Sequence, residues 1–126
     1  MIEISNAELS VMQVLWQRQP LSANEVVAEL GNAKDWHEKT VKTLLNRLVS
    51  KGALGFDKDG RAYSYYPLIA QHDYQLEQSR SFVERLFAGR VAPLVAGFAS
   101  QNKLNADDVQ QLKQLIADWE QEQHHD

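Results

Sequence analysis

The stretch KTVKTLLNRLVSKGAL, residues 39–54, holds the clearest structural pattern in the chain. Its apolar residues have the spacing of a helix that packs one face onto a core, and they are Val41, Leu44, Leu45, Leu48 and Val49. We predict a helix over residues 38–51 that ends at Gly52, with either Asp35 or His37 as the last non-helical residue before it. The opposite side contains Lys39, Thr43, Asn46 and Ser50, flanked by Thr40, Lys42 and Arg47.

This polar face is compatible with two functions. After Glu38 no acidic residue occurs before Asp57. A narrow polar face without carboxylates suits the major groove of DNA, which admits one helix. An ordinary solvent-exposed helix has the same pattern, so the flanking sequence must distinguish the two.

Two shorter helices are predicted before this one. Residues 5–8 (SNAE) and 22–25 (SANE) have the spacing of capping boxes, in which a serine and a glutamate satisfy each other's free backbone donors. The first helix should end before Pro20, and Gly31 should end the second in the left-handed conformation. The residues predicted to face the core are Leu9, Met12, Leu15 and Trp16 in the first helix and Val26, Val27 and Leu30 in the second.

After Gly52 the pattern changes to short β-prone runs at residues 53–56 and 62–66, which flank the loop DKDGR. We predict a β-hairpin with Lys58 and Arg61 at a basic tip and with Pro67 closing the second strand. The three tyrosines of the second strand are expected to pack against the helices. Three helices followed by a hairpin is the order of a winged helix-turn-helix, whose third helix enters the major groove.

Residues 70–126 return to a helical pattern, with Gly89 ending one helix, Pro93 in the first turn of the next, and Asn105 capping the last. This segment has more large apolar residues than so short a helical region can bury alone. We expect it to form a homodimer, although folding back on the N-terminal module is the alternative. The predicted dimerisation residues are Phe82, Leu86, Val91, Leu94, Val95, Phe98, Leu112, Leu115, Ile116 and Trp119.

The predicted architecture is therefore mainly α with a small β-hairpin wing. It comprises a winged-helix DNA-binding domain over residues 1–69 and a helical dimerisation region over residues 70–126. The formal net charge of −4 does not exclude DNA binding, because residues 1–69 are neutral and the acidic excess lies in residues 70–126. Salt screens charges beyond roughly 8 Å, so the local sign matters more than the total.

The composition excludes several other classes of protein. There is no cysteine, so disulfides and thiolate-bound metals are ruled out. No apolar run is long enough to span a bilayer, and the first twenty residues lack the basic start of a signal peptide, so we expect a cytoplasmic protein without membrane insertion.

Candidate catalytic and metal sites are weak. The segment His37-Glu38-Lys39-Thr40-Val41 begins like a zinc-protease motif, but position 41 is valine rather than a second histidine. Asp57-Lys58-Asp59-Gly60 begins like a calcium loop, but its glycine comes two residues early. The tail His124-His125-Asp126 could bind a metal, although a solvated tail is expected. We predict no enzyme activity, no cofactor and no metal site.

The chain resembles the penicillinase repressor family, which includes the BlaI and MecI proteins and a copper-responsive branch. The resemblance rests on ISNAE (4–8), residues 11–16, SANEV (22–26), KTVKTLLNRL (39–48), the aromatic strand before Pro67, FAG (87–89) and LVAGF (94–98), and it extends over nearly the whole chain.

The resemblance implies a dimeric winged-helix repressor of a palindromic double-stranded operator. The positions that match the family's groove contacts are Lys39, Thr40, Lys42, Thr43, Asn46 and Arg47. In the β-lactam branch, a membrane sensor-protease pathway releases the operator by cleavage between an asparagine and a phenylalanine; here the matching pair is Gly97 and Phe98. The copper branch needs C-terminal cysteines, which this chain lacks. A second hypothesis is a winged-helix interaction module that dimerises without specific DNA binding.

Overall fold

The computed structural model describes residues 2–31 and 35–124. Over these residues the chain forms α1 (Asn6–Gln17), α2 (Ala23–Leu30), α3 (Glu38–Lys51), β1 (Leu54–Asp59), β2 (Ala62–Pro67), α4 (Gln71–Phe87), α5 (Val91–Ser100) and α6 (Ala106–Gln123). The chain divides into two compact units, Met1–Leu76 and Glu77–Asp126. The predicted order of helices and hairpin is confirmed. In the described part of the chain, no helix is long and apolar enough to cross a membrane.

Both predicted capping boxes are present at the starts of α1 and α2. The Ser5 hydroxyl accepts a hydrogen bond from the Glu8 backbone, and a Glu8 carboxylate oxygen accepts one from the Ser5 backbone. Ser22 and Glu25 repeat the arrangement. The prediction for Gly31 was wrong: its φ is −57° and its ψ −28°, so it continues the right-handed helical conformation of α2.

The third helix begins and ends where the sequence placed it. His37 is the N-cap, because its Nδ1 accepts a hydrogen bond from the Lys39 backbone N–H at 3.2 Å, and Asp35 is not. Gly52 ends α3 with a φ of 84°, a left-handed conformation in which a residue with a Cβ would be strained.

The hairpin is longer than the sequence suggested. β1 and β2 pair antiparallel from Leu54 opposite Pro67 to Asp59 opposite Ala62, which leaves only Gly60 and Arg61 in the turn. The positive φ of Gly60, 64°, fits glycine at the first central position of a type II′ turn. The charged residues at 57–59 therefore belong to β1 and not to the loop.

The core of the N-terminal unit lies between α1, α2, α3 and the base of the hairpin. Its buried residues are Val11, Met12, Leu15, Leu21, Val26, Leu30, Val41, Leu44, Leu45, Leu48, Ala53, Leu54 and Tyr65. Leu21 pairs with Tyr65 through two backbone hydrogen bonds of 2.8 and 3.1 Å, which fixes the hairpin against the segment before α2. The Trp16 indole N–H donates to the Ile69 carbonyl at 3.0 Å and fixes the chain where it enters α4.

An ion pair joins α1 to the end of α3. The Glu8 carboxylate is almost completely buried, and its Oε1 lies 2.6 Å from Lys51 Nζ at the end of α3. The same ammonium group donates to the Glu3 carbonyl at 2.8 Å. Burial by itself raises the pKa of Glu8, but the hydrogen bonds from Lys51 and Ser5 together outweigh it and hold that pKa below the ordinary value.

The C-terminal unit has a small interior of its own. Val83 is buried, whereas Leu94, Val95, Val109 and Leu112 are half-buried. Asn105 caps α6 through its side chain, as predicted. Several of the predicted dimerisation residues are exposed in the single chain, among them Leu86, Val91, Leu115, Ile116 and Trp119.

Candidate nucleic-acid interface

The exposed surface of α3 is polar because its apolar residues are all used on the other side. The core packing of Val41, Leu44, Leu45 and Leu48 fixes the rotation of the helix about its axis. All eight side chains predicted to contact DNA are consequently exposed: Lys39, Thr40, Lys42, Thr43, Asn46 and Arg47 on α3, and Lys58 and Arg61 on the hairpin.

A groove with a volume of about 540 Å³ runs between α3, the hairpin and the beginning of α2. It brings together three of the predicted residues: Lys42 and Asn46 on α3, and Arg61 at the hairpin turn. The predicted residues Thr43 and Arg47 line a second, shallower depression on the other side of α3, and Asn46 borders both. Lys39, Thr40 and Lys58 line neither concave surface.

Two α3 side chains have local partners that the sequence pattern did not reveal. Lys42 Nζ lies 3.0 Å from Glu38 Oε1, one helical turn away, so a carboxylate does approach the polar face at its N-terminal end. The Thr43 hydroxyl donates to the Lys39 carbonyl at 2.9 Å, which leaves its methyl group and lone pairs for a ligand. The partner residues Glu38 and Lys39 are both exposed, and contacts between exposed groups are weak. A bound nucleic acid can therefore replace them.

Lys51 is not available to an anionic ligand, although it is one of six basic residues between positions 39 and 61. Its ammonium group is bound to the Glu8 carboxylate and the Glu3 carbonyl. The other five basic residues of this segment are exposed and have no buried carboxylate as a partner in the described part of the chain: Lys39, Lys42, Arg47, Lys58 and Arg61.

The hairpin separates its charges between its two faces. Side chains alternate along a strand, so Phe56, Lys58 and Tyr63 share the face on which Tyr65 is buried, and Asp57 and Asp59 lie on the other face. Tyr63 and Tyr65 of this face, together with Arg61 at the turn, line the groove beside α3.

Sequence reasoning missed Tyr63 as a residue of this surface. Packing against the helices was predicted for all three tyrosines, but only Tyr65 is buried. Tyr63 lines the groove and remains 39% exposed. Tyr66 lies on the opposite face, over Gly55. The alternation of strand side chains was the signal that could have separated the three.

The candidate metal motifs are not assembled. Among residues 2–31 and 35–124, no cluster of three histidine, aspartate or glutamate side chains is arranged to hold a metal ion. Of the C-terminal candidate His124-His125-Asp126, His125 and Asp126 lie outside the described residues.

Comparison with known proteins places this arrangement in a family. The family model described as penicillinase repressor matches residues 4–118. The chain belongs to the penicillinase repressor family. This is a family of transcriptional repressors and not of enzymes, which confirms that prediction.

Individual relatives agree with this assignment. The penicillinase repressor of Bacillus licheniformis is 38% identical over 90% of this chain and 89% of its own length. The methicillin resistance regulatory protein MecI of Staphylococcus aureus (strain N315) is 33% identical over 90% of this chain and 93% of its own. A solution structure of monomeric Bacillus licheniformis BlaI in complex with the blaP half-operator matches with a TM-score of 0.51 and 45% identity, covering 59% of this chain and 92% of that one. The winged-helix fold is confirmed by this likeness.

Proposed function

We propose that this penicillinase repressor family member is a homodimeric, sequence-specific repressor that binds a palindromic operator in the cytoplasm. In each subunit, α3 would lie in the major groove and the hairpin along the backbone. The observation on which this rests is the exposed side of α3. It is polar along its length, and its residues Lys42 and Asn46 share a groove with Arg61 of the wing. A relative 45% identical over this region was solved on a half-operator, which supports the same use of the surface here.

Arg47→Ala should weaken binding to the operator by at least about 1 kcal/mol per half-site, because an exposed guanidinium on the polar face of α3 can bond a base edge or a phosphate. The measurement is a fluorescence-anisotropy titration on a duplex selected by the wild-type protein from a randomised pool, with a random-sequence duplex alongside. Arg18→Ala is the matched control, since Arg18 pairs with Glu29 and lines neither depression beside α3.

The outcome of this titration also separates the two functional hypotheses. A repressor prefers the selected duplex and loses affinity with Arg47→Ala but not with Arg18→Ala. If the wild-type protein did not distinguish the two duplexes, the alternative of an interaction module without specific DNA binding would be favoured. If the wild-type protein distinguished the two duplexes but Arg47→Ala did not weaken binding, only the contact assigned to Arg47 would be wrong.

The proposed dimer uses the apolar surface of the C-terminal unit. Leu86, Val91, Leu115, Ile116 and Trp119 each expose more than half of their surface, which is unusual for so many large apolar side chains in one small unit. A second copy of the chain would cover them and place two α3 helices on the two halves of a palindrome.

Replacing Leu94 and Phe98 together with alanine should raise the monomer fraction, because the proposed dimer buries apolar side chains of α5, where Phe98 is 47% exposed and the half-buried Leu94 lies one turn before it. Analytical ultracentrifugation at micromolar concentration measures it. Leu68→Ala, which truncates an exposed leucine of the N-terminal unit, serves as the control. A wild-type protein that sediments as a monomer at this concentration would contradict the dimer.

We further propose the β-lactam-response branch, in which a membrane sensor-protease pathway inactivates the repressor at Gly97–Phe98. Phe98 is 47% exposed and nothing crowds the Gly97 backbone, so a protease could approach. The bond lies inside α5, and local unwinding of this helix would have to precede cleavage.

A further inference from the structure

Tyr63 combines three features that neither Tyr65 nor Tyr66 shows together. Its side chain lines the groove that also contains Lys42 and Arg61. It is 39% exposed. Its hydroxyl has no hydrogen-bond partner among the described residues, and its ring contacts Phe56, at 5.4 Å between centroids, and the Lys58 ammonium, 5.5 Å from the ring centre.

These contacts fix the ring and leave its polar end free. Phe56 meets Tyr63 edge-on, at an interplanar angle of 63°. Lys58, directly opposite on β1, covers the ring with its charge. A ring held by two neighbours loses little conformational freedom when its hydroxyl binds a ligand. The unpaired hydroxyl is consequently a positioned hydrogen-bond donor.

The electrostatics of the groove define the ligand. Lys42 on one wall and Arg61 on the other are cationic, and the wing's Asp57 and Asp59 lie on the opposite face of the hairpin. A phosphate group accepts hydrogen bonds from neutral hydroxyls as well as from cations. A duplex with one helix in its major groove presents a sugar-phosphate strand beside that helix.

We propose that Tyr63 donates a hydrogen bond from its hydroxyl to a DNA backbone phosphate seated between α3 and the wing. This inference rests on the proposed function. It adds a contact from a neutral hydroxyl to the phosphate contacts that the lysine and arginine side chains would make. Because the contact is to phosphate, it should strengthen binding to every sequence equally. Because tyrosine is uncharged, it should release no counterion.

Tyr63→Phe tests the proposal with the least disturbance, since it keeps the ring and removes only the hydroxyl. Affinity should fall about fivefold per half-site, as for a hydrogen bond to a charged group at a partly exposed site. The loss should be the same on the selected duplex and on the random-sequence duplex, and the slope of log K against log salt should not change. Tyr66→Phe removes the same atom from the opposite face of β2 and should leave affinity unchanged.

A series of selected duplexes, each with one neutral methylphosphonate in place of a phosphate, locates the contact. At the seated phosphate the modification should cost the wild-type protein more than it costs Tyr63→Phe, which is the coupling expected of a direct pair. Unchanged affinity of Tyr63→Phe, a loss confined to the selected duplex, or absence of coupling at every phosphate would overturn the proposal. If Arg47→Ala still weakened binding in that event, the proposed repressor function would stand without this contact.

Discussion

Replacing Lys51 with methionine should destabilise the N-terminal unit by about 2 kcal/mol at neutral pH, although it alters a partly exposed lysine. Glu8 is 2% exposed, and its Oε2 has no hydrogen-bond partner among the described residues. Without the ammonium group 2.6 Å away, the buried carboxylate would keep only the capping bond from the Ser5 backbone N–H. Breaking a fully buried ion pair costs more, but Lys51 is 36% exposed, and solvent reduces the effect.

The stability lost in Lys51→Met should become smaller as the pH falls. Lys51 and Ser5 lower the pKa of Glu8 in the folded protein, so the ionised carboxylate contributes stability above the ordinary glutamate value near 4.5. That contribution disappears as the pH falls through the lower folded pKa. In Lys51→Met the pKa of Glu8 in the folded protein is higher than in the wild type, because the lysine that lowered it is gone. As the pH falls, the buried carboxylate of the variant is therefore protonated before that of the wild type, which removes the unfavourable buried charge. The difference in stability between wild type and variant should therefore be largest near pH 7 and shrink below about pH 5.

Urea unfolding followed by circular dichroism at both pH values measures the difference. Lys39→Met is the matched control, since it makes the same change on the same helix at an exposed position without a buried partner. In the double variant Glu8→Gln with Lys51→Met, the glutamine can still accept the capping bond, so stability should largely recover. A loss equal to that of Lys39→Met, or one independent of pH, would contradict a structural role for the pair.

The parts of this fold that could be predicted from sequence are those determined locally. A capping box spans four residues, and both boxes form at the predicted positions. The α3 boundaries followed from the apolar period and from Gly52, which occupies the left-handed conformation that favours glycine. Such features depend on residues that are close in sequence, so the amino-acid sequence alone is enough to recognise them.

The unpredicted parts depend on contacts between distant residues. Glu8 was recognised as a capping residue, but its pairing with Lys51 joins positions 43 apart in sequence and requires the packed core. Asp57 and Asp59 were predicted to lie in the hairpin loop because they are charged. The structure places them in β1, where their position depends on pairing with β2. The same pairing put Tyr63, and not Tyr66, beside α3.

The pairing of Lys51 also affects the expected salt dependence of DNA binding. Five basic residues remain exposed on the proposed interface, and one of them, Lys42, already contacts Glu38. About four phosphate contacts per subunit, or about eight per dimer, follow from this count. The affinity for an operator should then fall roughly ten-thousandfold between about 50 and 200 mM salt, because each contact releases condensed counterions.

Two substitutions test whether the salt dependence comes from the basic residues that the structure leaves free for phosphate. Arg61→Met should reduce the slope of log K against log salt by about two in the dimer, one unit for each lost phosphate contact. Lys51→Met, measured below its unfolding temperature, should leave the slope unchanged, because the ammonium group it removes is already neutralised by Glu8. Both variants remove one positive charge per subunit, so an effect of net charge alone would lower the two slopes equally. Equal slopes in the two variants, or a flat response in the wild type, would contradict the proposed interface.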